Sequence, residues 1–217
     1  YYEYFKPAKI TKAFDAASRI AKKLHDEKLV DVIVLLSHNS FNRNVDWAET
    51  VPWVNVVVSG HSHAKTPEPI EVSNAGQPAY VVESKEWGQF LGELTLIVDK
   101  KNRQVVMKNY QLHPVSSDLA EDPKVAEMVR EQDLILERRH GKDVTRDHVG
   151  DCADEMPHDD HKEGLLGNAA ADAYRASANA QIGMESVQLI GVGISSGSLS
   201  TMDVYNISPH IYSPLQD

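Results

Sequence analysis

Two short aliphatic runs rich in β-branched residues, at positions 30–36 and 54–58, constrain the fold of this chain more than any other feature. Nearly unbroken runs of this length are typical of parallel strands buried on both faces, so they predict an α/β fold. Each run ends in a histidine motif: Ser37-His38-Asn39 after the first and Gly60-His61-Ser62-His63 after the second. Because open α/β sheets bind ligands at the carboxyl ends of their strands, we expect these imidazoles at a functional edge of the sheet.

The spacing of the histidines is compatible with a metal site. His61 and His63 are two residues apart, so on extended backbone both rings would point to the same side of the strand. His38 lies 23 residues before His61, which leaves room for a loop and a short helix between two parallel strands. Neutral imidazole suits first-row cations such as Zn, Mn, Fe, Co or Ni, but three histidines cannot complete two metal sites. The alternative interpretation is a histidine that only makes structural hydrogen bonds.

The composition limits the class of partner. The net charge is −10, with 22 Lys and Arg against 32 Asp and Glu, and no basic stripe is available to neutralise a phosphate backbone. This balance excludes a nucleic-acid polymer as the main partner, and no apolar run is long enough to span a bilayer. The single cysteine, Cys152, cannot form an internal disulfide, and we expect it to pack in the connection between two domains.

Residues 4–115 resemble the second half of the calcineurin-like metallophosphoesterase domain, in the form found in bacterial 5′-nucleotidases. In that family one strand ends in Ser/Thr-His, and a later strand ends in Gly-His-Ser/Thr-His. The resemblance continues through two further segments: Gln77-Pro78-Ala79-Tyr80-Val81-Val82 and Trp87-Gly88-Gln89-Phe90-Leu91-Gly92-Glu93-Leu94. It implies that His38 and His61 bind one metal ion and His63 the other, in a centre for two divalent cations (Zn, Mn, Co or Fe).

The resemblance also implies which parts of the centre this chain does not carry. In the family, an Asp-x-His motif, a bridging Gly-Asp and a Gly-Asn-His-Glu/Asp motif with the catalytic histidine come earlier in the domain. None of them is found in this sequence, so we expect the catalytic histidine upstream of Tyr1. The chain is then an internal fragment that is inactive by itself. Asn39 and Ser62 are weaker candidates for supporting the metal ligands or binding the substrate.

A second resemblance lies in the last third of the chain. Residues 163–175 are similar to the Glu-x-x-Leu-Gly-Asn-x-x-x-Asp-Ala-x-Arg signature that opens the 5′-nucleotidase C-terminal domain. Residues 187–194 are expected to form a strand, residues 195–200 resemble the family's Asn-x-Gly-Gly-Ile-Arg loop, and residues 203–210 resemble its Asp-Val-Tyr segment. Ser200 stands where the family has an arginine, which favours a binding protein without catalysis as one alternative.

These patterns together predict three parts. Residues 1–118 form the C-terminal half of a metallophosphoesterase αββα sandwich, residues 119–150 a linker helix and connection, and residues 151–217 the start of a second α/β domain. Apolar spacing predicts a helix over residues 10–25, and Asp122-Pro123 begins a helix that ends near Gly141. Residues 79–84, 92–99 and 103–113 are predicted as antiparallel strands, with a turn at 99–102. The stretch 151–163 is predicted as a solvated acidic loop in which Glu163 caps or anchors the following helix.

The resemblance implies metal-dependent hydrolysis of a phosphomonoester, most simply a nucleotide, by attack of an activated hydroxide on phosphorus. It further implies a role in nucleotide catabolism and a periplasmic or extracellular location. Two alternatives stay open. One is a 2′,3′-cyclic-nucleotide phosphodiesterase or another ester hydrolase on the same scaffold, and the other is a degenerate binding protein.

Overall fold

The computed structural model describes residues 10–141, 146–158 and 162–207 and divides the chain into two compact units, Tyr1–Ala120 and Glu121–Asp217. The elements of the first unit are α1 (Ala13–Asp26), β1 (Val34–Ser37), α2 (Phe41–Thr50), β2 (Val56–Ser59), β3 (Ile70–Asn74), β4 (Gln77–Val82), β5 (Phe90–Asp99) and β6 (Gln104–Pro114). Those of the second are α3 (Pro123–His140), β7 (His148–Cys152), α4 (Leu165–Ser177), β8 (Gly197–Ser200) and α5 (Thr201–Ile207). No helix in the described part of the chain is long and apolar enough to cross a membrane.

A four-stranded sheet in the order β1-β2-β4-β3 forms the centre of the first unit. β1 and β2 pair in parallel, which confirms the prediction from the two aliphatic runs. β4 pairs in parallel with β2 and antiparallel with β3. The predicted antiparallel strand over residues 79–84 is therefore correct for the pairing with β3 and wrong for the pairing with β2. β3 was not predicted. A two-residue turn joins it to β4, and both turn residues, Ala75 and Gly76, have the positive φ angles that such hairpins require.

Helices cover one face of this sheet. The predicted helix over residues 10–25 is confirmed as α1, although it begins at Ala13. The core on this face consists of small and branched apolar residues: Ala21, Ile33, Ala48, Val51, Val54, Val57 and Val81. The expectation that both faces of the first strand are buried is wrong for β1, because Leu36 is 81% exposed and Val34 is also exposed. Since side chains alternate along a strand, these two residues point away from the helices.

The long hairpin of β5 and β6 confirms the predicted strands over residues 92–99 and 103–113. Asp99 stabilises the predicted turn, because its carboxylate accepts hydrogen bonds from the backbone N–H groups of Lys101 and Asn102 and from the Asn102 side-chain amide. The Asn102 backbone N–H and side chain, followed by the Lys101 N–H, hold the pKa of the Asp99 carboxyl below its usual value. The turn is therefore fixed by one ionised side chain.

The second unit begins with α3, the predicted linker helix. Asp122 caps its N-terminus by accepting the N–H groups of Lys124 and Val125, and the helix ends at Gly141, as predicted. Its described side chains include no buried residue. A small core lies further along the unit and contains Leu166, Ile190, Ile194 and Cys152. Cys152 is 5% exposed, so the expectation that it packs in a connection between domains is wrong.

Three local predictions for the second unit are wrong in whole or in part. Residues 187–194 do not form a strand; Val187–Leu189 is a single 3₁₀ turn, and Ile194 makes an isolated bridge with Met156. The predicted loop at 195–200 ends in β8, which pairs antiparallel with β7. β7 itself takes the first residues of the predicted acidic loop into a strand. The reason is mutual pairing: each of these polar segments satisfies its backbone groups on a partner that is distant in sequence.

Candidate metal centre

His38 and His61 lie side by side at the carboxyl edge of the parallel sheet. Ser37 and Ser59, the last residues of β1 and β2, are register partners, so the chain leaves both strands at the same level. The Gly60 N–H donates a hydrogen bond to the Ser37 carbonyl at 3.0 Å. This bond holds the second exit, where the chain leaves β2, against the first exit, where it leaves β1. As a result, the rings of His38 and His61 meet edge to face with 5.1 Å between their centroids. Both side chains are exposed and open to a ligand.

The backbone of the second histidine motif differs from the sequence-based expectation. His61 and His63 have φ angles of 80° and 54°, so they lie in the left-handed region and not on extended backbone. This conformation is uncommon for residues other than glycine and stores strain. Two residues of the loop after β4, Lys85 and Trp87, are left-handed as well, with φ angles of 67° and 57°. Such outliers cluster at ligand sites, where the surrounding structure holds them in place.

His63 faces this second loop. Its ring centroid lies 6.2 Å from that of Trp87, which is 57% exposed. The structure thus brings His38 together with His61, and His63 together with Trp87. Over residues 10–141, 146–158 and 162–207 it forms no group of three or more His, Cys, Asp or Glu side chains that could hold a metal ion.

A buried amide beneath the two exits fixes their positions. Asn44, on the buried face of α2, is fully buried. Its Oδ1 accepts a hydrogen bond from Ser37 Oγ at 2.6 Å, and its Nδ2 donates to Ser59 Oγ at 2.7 Å and to the Asn39 carbonyl at 3.1 Å. Sequence reasoning missed this residue. The available signal was an asparagine in the apolar stripe of a helix, four residues before the buried Ala48.

Of the two weaker candidates, Asn39 makes a hydrogen bond within the first histidine motif, and Ser62 connects the second motif to the start of α2. Asn39 Nδ2 donates to Ser37 Oγ at 3.0 Å. Ser62 Oγ accepts the N–H of Phe41, the first residue of α2, at 2.7 Å. An N–H in the first turn of a helix has no partner within the helix, so Ser62 caps α2 from the other histidine loop. Glu83, a buried carboxylate at the end of β4, also contacts this region and was missed by the sequence analysis.

The second unit offers side chains with structural roles. Glu163 accepts a hydrogen bond from Asn168 in α4 at 3.0 Å, consistent with the predicted anchor of that helix. In the stretch 151–163, which was predicted as an acidic loop, His158 is among the described residues, whereas residues 159–161 lie outside the described part of the chain. Ser200 donates its hydroxyl and its N–H to the Asp203 carboxylate, and both bonds hold the pKa of Asp203 below its usual value. Ser200 caps α5, because its Oγ also accepts the backbone N–H of Asp203 in the first turn of that helix at 3.3 Å.

The amino-acid sequence is similar to those of known phosphoesterases. It is 30% identical over 206 residues to the trifunctional nucleotide phosphoesterase protein YfkN of Bacillus subtilis, covering 91% of this chain and 14% of that protein. It is 34% identical over 103 residues to a probable 5′-nucleotidase of Treponema pallidum, covering 39% of this chain and 17% of the relative. The chain thus spans less than a fifth of the length of either relative. No protein-family model matches it.

The fold also has a counterpart among solved structures. The 5′-nucleotidase precursor from Thermus thermophilus superimposes with a TM-score of 0.75 at 22% identity, over 92% of this chain and 42% of that one. This mixed α/β architecture is the one that the two aliphatic runs and their histidine motifs predict. The likeness in sequence and in fold agrees with the resemblance of the histidine motifs. In sequence and in fold the chain is therefore similar to 5′-nucleotidases and nucleotide phosphoesterases of the metallophosphoesterase family, which are hydrolases.

Proposed function

We propose that this chain supplies the histidine side of a two-metal centre with which the whole protein hydrolyses nucleotide phosphomonoesters. The observation that carries the proposal is the pair of exposed rings, His38 and His61, at the carboxyl edge of the parallel sheet. Their loops are fixed from below by the buried Asn44. Since the chain spans a small part of its relatives, the activity is proposed for the whole protein and not for these residues alone.

The separation of the two rings fits joint coordination of one cation. A metal–nitrogen distance of about 2.1 Å and a ring radius of about 1.2 Å place two imidazole centroids about 4.7 Å apart at an octahedral angle and about 5.4 Å apart at a tetrahedral angle. The observed separation is 5.1 Å. The donor set is also suitable, because neutral imidazole binds Zn, Mn, Co and Fe. His38 and His61 thus fit one part of a ligand set, and the remaining ligands come from other residues.

In the proposed centre, His38 and His61 hold one cation and His63 the other. Divalent cations bound there would lower the pKa of a water molecule and polarise the phosphoryl oxygens. The chain's own contribution is orientation: Asn39 and Ser62 hold the two motifs through hydrogen bonds to Ser37 and Phe41, and the left-handed backbone of His61 and His63 sets the direction of both side chains. We place the histidine that acts on the phosphoryl group outside this chain, so residues 1–217 alone are expected to be inactive.

In the first experiment, Co²⁺ is titrated into the purified chain and its binding is measured by calorimetry. His38→Ala and His61→Ala are each expected to weaken Co²⁺ binding at least about tenfold, because each removes a ligand. His113→Ala is the matched control, since His113 pairs with Glu93 on the β5–β6 hairpin. Thermal stability should be nearly equal for all three variants. Unchanged Co²⁺ binding in His61→Ala, or an equal loss in His113→Ala, contradicts the proposed centre.

We infer the substrate class and the location from the family. A nucleotide is the proposed substrate, with nucleotide catabolism as the role and the periplasm or the cell exterior as the site of action. Assays of the whole protein on nucleoside monophosphates, 2′,3′-cyclic nucleotides and nucleotide sugars separate the proposed reaction from other ester hydrolysis on this scaffold. Absence of turnover on every substrate, with intact metal binding, would favour the degenerate binding protein. Cell fractionation tests the location.

A further inference from the structure

Glu83 is a buried carboxylate that joins the two ends of the second histidine motif. This residue is 3% exposed. Glu83 Oε2 accepts a hydrogen bond from Ser59 Oγ at 2.5 Å, and Oε1 accepts the N–H of Ala64 at 3.0 Å. Ser59 directly precedes the Gly60-His61-Ser62-His63 segment, and Ala64 directly follows it. One carboxylate therefore spans the whole segment, with one oxygen on each end.

The backbone of Glu83 is fixed as firmly as its side chain. Its N–H donates to Thr66 Oγ1 at 2.9 Å, and its carbonyl accepts both the Thr66 hydroxyl at 2.9 Å and the Thr66 N–H at 3.0 Å. Thr66 is itself buried. Because both the main chain and the carboxylate are held, Glu83 is a rigid reference point and not an adaptable surface group.

The segment that Glu83 spans needs such a reference point. His61 and His63 both have positive φ angles, and strained backbone persists only where surrounding contacts over-determine it. The other end of the same hydrogen-bond chain reaches the first motif, because Ser59 Oγ also accepts from Asn44 and Asn44 accepts from Ser37. Glu83 is thus the anchor of a buried polar chain that runs under both histidine motifs.

We propose that Glu83 is a positioning residue that sets the orientation of His61 relative to His38. This proposal rests on the proposed metal centre. The property of Glu83 that holds residues 60–63 is the length of its side chain and not its charge. Glutamine has the same reach: its Oε1 can accept the Ala64 N–H and its Nε2 can donate to Ser59 Oγ, so both ends of the segment stay tied, although the buried Ser59 hydroxyl loses its acceptor and thermal stability falls. Aspartate keeps the charge, but it is one methylene shorter and cannot reach both ends.

The test compares Glu83→Asp with Glu83→Gln in the full chain, with Glu71→Gln on the exposed surface of β3 as a matched control. Two readouts are measured: the Co²⁺ dissociation constant together with the Co²⁺ absorption spectrum, and amide hydrogen exchange over residues 60–64. We expect Glu83→Asp to weaken Co²⁺ binding about tenfold, to alter the spectrum and to speed exchange at Ala64. Glu83→Gln should stay within about threefold of the parent chain and keep its spectrum.

The outcomes separate the two proposals. Unchanged exchange over residues 60–64 in a folded Glu83→Asp variant overturns the positioning role, whatever the metal does. A folded Glu83→Gln variant that loses Co²⁺ binding shows that the reach of the side chain is not sufficient and also overturns it. If Glu83→Asp does not fold, the Glu83→Gln result alone decides. Failure of the metal centre itself would show as unchanged Co²⁺ binding in His61→Ala, with the exchange result for Glu83→Asp still valid.

Discussion

Replacing Asn44 with alanine should destabilise the first unit without touching either histidine. The substitution removes three hydrogen bonds of the buried amide: two buried ones, to Ser37 and Ser59, and a part-buried one to the Asn39 carbonyl. At about 1 kcal/mol each, they contribute about 3 kcal/mol to the free energy of unfolding. Alanine is the better helix former and offsets about 0.6 kcal/mol of this loss. The expected net loss is about 2.5 kcal/mol.

Urea unfolding followed by tryptophan fluorescence measures this loss directly. All three tryptophans, Trp47, Trp53 and Trp87, lie in the first unit, so the signal reports that unit and not the second. Asn109→Ala is the matched control, because Asn109 lies exposed on β6. It should change the free energy of unfolding by less than about 0.5 kcal/mol. A loss below about 1 kcal/mol in Asn44→Ala would refute the view that the buried amide holds the two exits together.

Two further substitutions test the site and the hairpin. Gly60→Ala places a Cβ 3.1 Å from His38 Nδ1, so the exposed ring must shift by a few tenths of an ångström. Co²⁺ titration should show weaker binding with thermal stability nearly unchanged. A clear fall in thermal stability would instead show a general packing defect. Asp99→Ala should lower stability at neutral pH, because the pKa of Asp99 in the folded chain lies below its usual value. The stabilisation is fully present above the usual pKa and is lost as the pH falls through the lower pKa of the folded chain. In urea unfolding, the difference in free energy of unfolding between the parent chain and Asp99→Ala should therefore become smaller in strong acid. A difference that does not change with pH would contradict this origin.

Elements with local signals could be predicted from the order of residues alone. Two β-branched runs predicted parallel strands, Asp122 with Pro123 predicted the start of α3, and Gly141 predicted its end. These signals are strong because each depends on residues within one strand or one helical turn. The histidine motifs belong to the same class, since their place after a strand follows from order along the chain. The pairing of His38 with His61 then requires only that the two strands be neighbours.

The contacts that hold those histidines emerge only when the elements pack together. The left-handed backbone of His61, the burial of Asn44 and the span of Glu83 across residues 60–63 could not be predicted. The hydrogen bonds involved join residues 5 to 24 positions apart in sequence. The same holds for β7 and β8, polar segments that become strands because they pair with each other. A local pattern specifies which face of an element is apolar. It does not specify which distant donor satisfies a buried carboxylate, because that depends on how the packed elements bring their polar groups within hydrogen-bonding distance.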